Sequence, residues 1–156
     1  MKFSGVISVK APRGAVFDAL RDARFFASCL DGVRDLAEIS PDRYAAVFET
    51  KVAYMKFSFK VTVDLTRADP PSEIEAKVEG SPLGVVGRMT ATSQTTLSEV
   101  GDETKIAYAV DAALTGKLGS LGQPVLRSKA REMEKQFAAR LAAAFAQPDA
   151  NSGAPQ

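Results

Sequence analysis

GKLGSLGQPVLRSKAREMEKQFAARLAAAF, residues 116–145, reads as one long, alanine-rich amphipathic helix. Upstream of it, after residue 30, the chain reads as successive antiparallel strands. From Leu126 the apolar positions are Leu126, Ala130, Met133, Phe137, Leu141 and Ala144, spaced 4, 3, 4, 4 and 3, which is a single helical stripe. Leu118, Leu121 and Val125 make a shorter stripe, rotated roughly a quarter turn from the first at about 100° per residue. Pro124 lies at the join, and a proline inside a helix removes a hydrogen bond and kinks it. Gly116, Gly119 and Gly122 loosen the first part, each costing roughly 1 kcal/mol relative to alanine. The expectation is a firm section packed on a sheet and a softer section closing over a cavity mouth. The plainer reading is a helix that bends to follow a curved sheet. A gate of this kind would make Pro124→Ala straighten the helix and slow ligand exchange.

The strands supply the surface under that helix. Between residues 56 and 65, Phe57, Phe59, Val61, Val63 and Leu65 share one face, and Lys56, Ser58, Lys60, Thr62 and Asp64 share the other. Ile106, Tyr108, Val110, Ala112 and Leu114 repeat the alternation, as do Ile74, Ala76 and Val78 with Glu73, Glu75, Lys77 and Glu79 outside. A period of two with one polar face means an antiparallel sheet wet on one side. The turns fall at Ser40-Pro41-Asp42-Arg43, Asp69-Pro70-Pro71-Ser72 and Val100-Gly101-Asp102-Glu103. Before them, residues 2–10 read as a strand, Gly14 to Arg21 as a helix begun by Pro12, and Ala23 to Leu30 as a short second helix. The fold class is therefore α+β: a curved antiparallel sheet of about seven strands wrapped around a long C-terminal helix, with two short helices between strands 1 and 2. One domain over residues 1–146 and a flexible Pro-, Gly- and Ser-rich tail over 147–156 complete the organisation.

Composition limits the chemistry. The 156 residues carry a net charge of +1, so no global field recruits nucleic acid. With no histidine and only Cys29, His-based triads, Cys–His dyads and common zinc sets cannot be assembled. No catalytic residue, metal or cofactor is expected. Residues 1–6, MKFSGV, lack a signal-peptide core, and no apolar run approaches the roughly 20 residues that span a bilayer. A cytoplasmic location follows as the expectation. From Lys117 to Arg140 there are six basic residues (Lys117, Arg127, Lys129, Arg131, Lys135, Arg140) against Glu132 and Glu134. That basic face offers peripheral contact with the inner face of the cell membrane, against the plainer reading of a solvated surface. Residues 80–87, GSPLGVVG, lack the spacing of a phosphate cradle and join strand to strand, so they read as a flexible loop at the pocket rim.

Several stretches carry a resemblance. Residues 11–22, APRGAVFDALRD, resemble the first helix of the START-like (SRPBCC, helix-grip, Bet v 1-like) superfamily. Residues 26–32, FASCLDG, resemble the Cys-Ile-Pro-Gly turn of the CoxG family of carbon monoxide dehydrogenase subunits, with Leu30-Asp31 in place of Ile-Pro. Residues 57–63, FSFKVTV, 69–71, DPP, and 110–122, VDAALTGKLGSLG, follow in the family's order. The resemblance spans roughly residues 2–145 and implies a β-α-α-β6-α fold with a cavity between sheet and helix. It also implies work alongside a molybdenum hydroxylase such as carbon monoxide dehydrogenase, in its assembly or membrane recruitment. Several relatives resemble this chain with a linker and an apolar anchor added. The chain stops at Gln156 without one, so anchoring through such a tail is not expected.

Strand parity and helix stripes nominate the pocket lining: Phe26, Leu30, Tyr44, Phe48, Phe57, Phe59, Val61, Met89, Leu118, Leu121, Val125 and Met133. Each serves equally well as plain core. Tyr44, Tyr54 and Tyr108 are the candidates to orient a ligand headgroup. Cys29 reads as a buried, inert thiol, with Arg24 or Arg34 the cation that would activate it. Asp111 is expected to point outward or to cap a turn. Three function classes stand: a non-catalytic carrier or accessory protein for a lipid or quinone that serves a redox enzyme, a cyclase- or dehydratase-like enzyme, and an interaction domain whose cavity its own side chains fill.

Overall fold

The computed structural model describes residues 1–146, so the tail expected over 147–156 lies outside the described residues. Seven strands form one sheet: β1 (Lys2–Val9), β2 (Val33–Ser40), β3 (Arg43–Val52), β4 (Met55–Asp69), β5 (Glu73–Pro82), β6 (Gly87–Val100) and β7 (Glu103–Gly116). Their spatial order is β1-β7-β6-β5-β4-β3-β2, and every neighbouring pair is antiparallel. Tight turns at the three expected positions make hairpins of consecutive strands. Only the β1–β7 pairing joins strands distant in sequence. Register shifts in β2, and at Leu65/Arg67 in β4, bend the strands locally.

Two short helices, α1 (Arg13–Arg21) and α2 (Ala23–Ser28), fill the crossover from β1 to β2. Asp22 separates them. Its own N–H bonds back to the Ala19 and Asp18 carbonyls. Its carboxylate accepts the N–H groups of Arg24 and Phe25 at 3.0 and 3.3 Å, which caps α2.

The C-terminal helix differs from the expectation at its start. β7 runs on to Gly116, a single 3₁₀ turn spans Gly119–Leu121, and the helix α3 occupies only Gln123–Ala146. Gly116 and Gly122 have φ of +67° and +87°, values that side-chain-bearing residues rarely adopt, so the backbone leaves and re-enters regular structure at these two points. The first α3 bond runs from the Leu126 N–H to the Gly122 carbonyl. Pro124 therefore sits in the first helical turn, where its missing N–H has no partner to lose. There is no kinked soft half-helix. Leu118 and Leu121 belong to the connection from β7.

The concave face of the sheet carries the apolar sets predicted by alternation, and they gather into two clusters. At the end that holds α1 and α2, Ile7, Val9, Val16, Phe17, Leu97 and Ile106 pack around the fully buried Leu141 of α3. At the opposite end, Val52, Phe57, Phe59 and Leu118 are buried together. Thr104 is fully buried, and its hydroxyl donates to the Ala11 carbonyl at 2.7 Å, tying β7 to the turn before α1. Ala144, placed on the stripe by spacing, is exposed, and Phe145 packs on the first cluster instead. The β5–β6 connection is also shorter than expected. β5 continues to Pro82, and only residues 83–86 lie outside strands.

Candidate functional site

Eight of the twelve nominated residues converge. Phe57, Phe59 and Leu118 are buried in the second cluster, with Phe48, Val61, Met89, Leu121 and Val125 packed against it. Ladder register explains the convergence: Phe48 lies opposite Phe59, and Gly80 sits between Val61 and Met89 on neighbouring strands. Phe48, Phe59 and Phe57 form a stacked series with centroid separations of 6.3 and 5.9 Å. Leu118, delivered by the glycine-rich connection, covers them.

The other four lie elsewhere. Phe26 is 43% exposed, with its ring 4.8 Å from that of Phe137 on α3. Leu30 is half-buried just before the loop that Asp31 ties to α3. Asp31 accepts from Arg140 and Gln136 at 2.6 Å each, and its backbone N–H donates to the Gln136 side-chain oxygen Oε1 at 2.9 Å. The Arg140 bond holds the Asp31 carboxyl below its ordinary range. Tyr44 donates its hydroxyl to the Pro41 carbonyl at 2.8 Å and lines a polar cleft of about 320 Å³ with Asp18, Arg21, Asp22, Arg24 and Glu38. Met133 is half-buried in neither cluster, between Leu126 of the second and Phe137 of the first.

Between the clusters the sheet is different. Val63, Val78 and Ala91 stand side by side in register, and beside them run Ala76, Ser93 and Val110. All six are partly buried and none belongs to either cluster, while Ala112, next to Ala91 in register, is buried. Mid-sheet positions on an apolar face are normally the best covered. Here the side chains are small, and the bulky residues sit at the two ends.

One polar pair sits a row beyond, beside the first cluster. Tyr108 of β7 donates its hydroxyl to the Glu134 carboxylate of α3. Tyr108 faces Gly5 of β1 in register, and a Cβ on Gly5 would lie 2.6 Å from the phenol oxygen and collide with Glu134. Burial, reinforced by the hydrogen bond and charge of Glu134, raises the Tyr108 phenol far above its usual range. Tyr108 therefore stays protonated and acts as a fixed donor to Glu134. What the pair then offers a third group is oxygen lone pairs. Of the three tyrosines, only Tyr108 takes such a place, since Tyr54 is 88% exposed at the β3–β4 tip.

The stripe through Met133 leaves Glu134 among the charges of the helix back, and the structure turns it inward. Ala130, Glu134, Phe137 and Leu141 follow spacings of 4, 3 and 4, as regular as that stripe, and this is the signal in the sequence that could have found it. Three of the six basic residues from Lys117 to Arg140 are engaged. Lys129 pairs with Glu132 at 2.9 Å and Arg140 with Asp31 at 2.6 Å. Arg127 donates to the Lys2 carbonyl and lies 5.6 Å from the Phe3 ring centre.

Cys29 is buried, and desolvation raises its thiol; the opposing charge comes from Arg140 and not from Arg24 or Arg34. Asp111 is exposed, 3.8 Å from the N-terminal ammonium. On the convex face Arg67 bridges Asp69, Glu73 and Glu75, and Arg88 meets Glu79. Among the described residues, no group of three His, Cys, Asp or Glu is placed to hold a metal ion.

Comparison with known proteins gives three findings. The family model for CoxG, a subunit of carbon monoxide dehydrogenase, matches residues 5–146. No curated protein matches the chain. Among solved structures, a conserved protein from Geobacillus kaustophilus superposes with a TM-score of 0.87 at 24% identity, covering 94% of this chain and 96% of its own. A START superfamily protein from Mycobacterium smegmatis gives 0.71 at 11% identity over 94% and 97% of the two chains. The Zhui aromatase/cyclase from a Streptomyces species gives 0.68 at 13% identity over 97% and 96%. At these identities the structural likeness establishes the fold: the START-like helix-grip arrangement.

Proposed function

Because the chain belongs to the CoxG family of carbon monoxide dehydrogenase subunits, we propose that it is a non-catalytic accessory protein that holds an apolar small molecule, a lipid or a quinone, between α3 and the concave face of the sheet. Its service is to a molybdenum hydroxylase of the carbon monoxide dehydrogenase type, in assembly, membrane recruitment or electron transfer to quinone. One observation carries the reading: the central rows, Val63, Val78, Ala91, Ala76, Ser93 and Val110, are only partly buried and belong to neither of the two packed ends. A tail laid over these rows gains about 0.8 kcal/mol per CH₂ buried. Even a short chain then offsets the cost of association. The stacked phenylalanines and Leu118 close one end of the site, and Leu121 and Val125 extend that closure toward α3.

Tyr108 and Glu134 set the preference for the head of the molecule. With the phenol proton already donated to Glu134, the pair accepts hydrogen bonds. A hydroxyl-bearing head, such as a quinol or an alcohol, is favoured over one that only accepts, such as a quinone carbonyl.

The test is mass spectrometry of native protein extracted with organic solvent, followed by titration with long-chain quinol and quinone. The expected result is a recovered apolar molecule and a quinol preference that Glu134→Gln reduces. An empty extract together with no binding of either form would sink the reading.

The same polar pair is the one observation that favours a cyclase- or dehydratase-like enzyme, which needs polar groups converging in an apolar interior. A phenol raised so far is a poor acid at neutral pH, so the pair is better suited to holding than to proton delivery. Recovery of the bound molecule with altered mass after incubation would reverse that order.

A further inference from the structure

Three loops project from one end of the sheet. The β3–β4 turn carries Tyr54, which is 88% exposed. The β5–β6 connection carries Leu83, Val85 and Val86, exposed by 48, 41 and 85%. The third is the connection from β7 to α3. They share an end because Leu83 N–H bonds the Ser58 carbonyl near the start of β4, and Lys117 N–H bonds the Val86 carbonyl. Apolar side chains are thus presented outward at the tips, past the last ladder pairs, while the matching cluster of Val52, Phe57, Phe59 and Leu118 lies buried beneath them.

The charge around these tips has one sign. Residues 51–56, 83–88 and 117–122 contain Lys51, Lys56, Arg88 and Lys117 and no Asp or Glu. The nearest carboxylates are engaged: Glu49 with Arg34 and Ser58, and Glu79 with Arg88. The start of α3 adds Arg127 and Arg131, which line an open cleft of about 540 Å³ with Gln123, Pro124 and Ser128.

We infer that this end of the molecule is a docking surface for an anionic lipid bilayer, with Tyr54 and the tip residues Leu83, Val85 and Val86 entering the interface and the lysines meeting lipid phosphates. The chemistry favours a bilayer over a protein surface. The apolar residues stand on separate tips and not on a flat patch, and lysine is depleted at the core of protein interfaces. At a bilayer surface a lysine keeps its hydration while its stem and a neighbouring tyrosine lie among the headgroups. The inference deepens the membrane-recruitment part of the proposed function and rests on it, but it holds whether or not a molecule is held inside. It also moves the membrane contact from the back of α3 to the loop end. On that back, Lys129 and Arg140 are engaged by Glu132 and Asp31, and Lys135 is the exposed cation that serves as the control.

The experiment is sedimentation of delipidated full-length protein with vesicles of phosphatidylcholine alone or mixed with phosphatidylglycerol, across a salt series. The expected result is binding only to the mixed vesicles, weakening with salt. Tyr54→Ser with Val86→Ser should lower it at least tenfold, by removal of the inserted apolar area. Neutralising Lys51, Lys56 and Lys117 to Gln should lower it by roughly fivefold per lysine. Lys135→Gln should leave it unchanged. Each variant is first shown to unfold at the wild-type midpoint, which is expected at sites this exposed. Wild type that stays in the supernatant with mixed vesicles overturns the inference and leaves the tips to a protein partner. Loss of binding in the Lys135 variant, or none in the tip variant, overturns it as well. Failure of the carrier reading would leave all of these outcomes unaffected, because the protein is delipidated beforehand.

Discussion

Thr104 shows what one hydroxyl can hold. It is fully buried and bonds the Ala11 carbonyl at 2.7 Å. Thr104→Val keeps the shape and leaves that carbonyl unpaired, so urea unfolding should show a loss of about 1–3 kcal/mol. Asp31 acts at the surface, where its bonds to Arg140 and Gln136 tie the α2–β2 loop to α3. Its carboxyl titrates below the ordinary 3.8 in the folded protein. Stability from a depressed carboxylate is present above the unfolded value and lost as pH falls through the folded one. The gap between wild type and Asp31→Asn should therefore be constant at neutral pH and close below about pH 4, as followed by thermal unfolding across that range. The family-like turn at residues 26–32 is legible in the sequence, but the role of its Asp31 is not. Gln136 and Arg140 lie more than a hundred residues away.

At the scale of elements, alternation places the strands well because every second residue of a half-wet sheet must be apolar. It fails at the start of α3, where apolar spacing continues through Leu118 and Leu121 although the helical backbone does not. Glycine in a helix and glycine at positive φ look alike in a sequence. Gly122 at φ +87° decides the matter only through its conformation. Two substitutions separate the readings. Pro124→Ala, in the first turn, should change stability by less than about 1 kcal/mol and leave ligand exchange as it is. Gly122→Val, which forces a β-branched side chain into the left-handed region, should cost more than about 1–2 kcal/mol in the same denaturant titration. The reverse ranking would restore a kinked helix with Pro124 at its centre.

For the whole molecule, the two ends differ from the middle in what they tolerate. Leu141 is fully buried among Ile7, Val16, Phe17 and their neighbours. Leu141→Ala should cost about 2–5 kcal/mol in chemical denaturation. The middle of the sheet should answer differently. Ala91→Leu adds volume where side chains are small and partly buried. On the carrier reading, which requires space above Ala91, the variant should lose less than the roughly 1–3 kcal/mol of an overpacked core, while uptake of a long-chain quinol falls. A larger loss with no effect on uptake would mean that the interior is filled by the protein itself.

The sequence by itself determined the strand faces, the hairpin turns, the two crossover helices and the poverty of catalytic groups. Each is a property of neighbours along the chain: a period of two, a proline or glycine at a turn, an absent histidine. It also brought together eight of the pocket candidates, because register follows from hairpin connection. Only the tertiary structure decided which apolar residues pack and which are left only partly buried mid-sheet, that Glu134 turns inward to Tyr108 over Gly5, and that three distant loops share one apolar, basic end. Those outcomes depend on the curvature of the sheet and the line α3 takes across it, which are set by contacts between residues far apart in the chain.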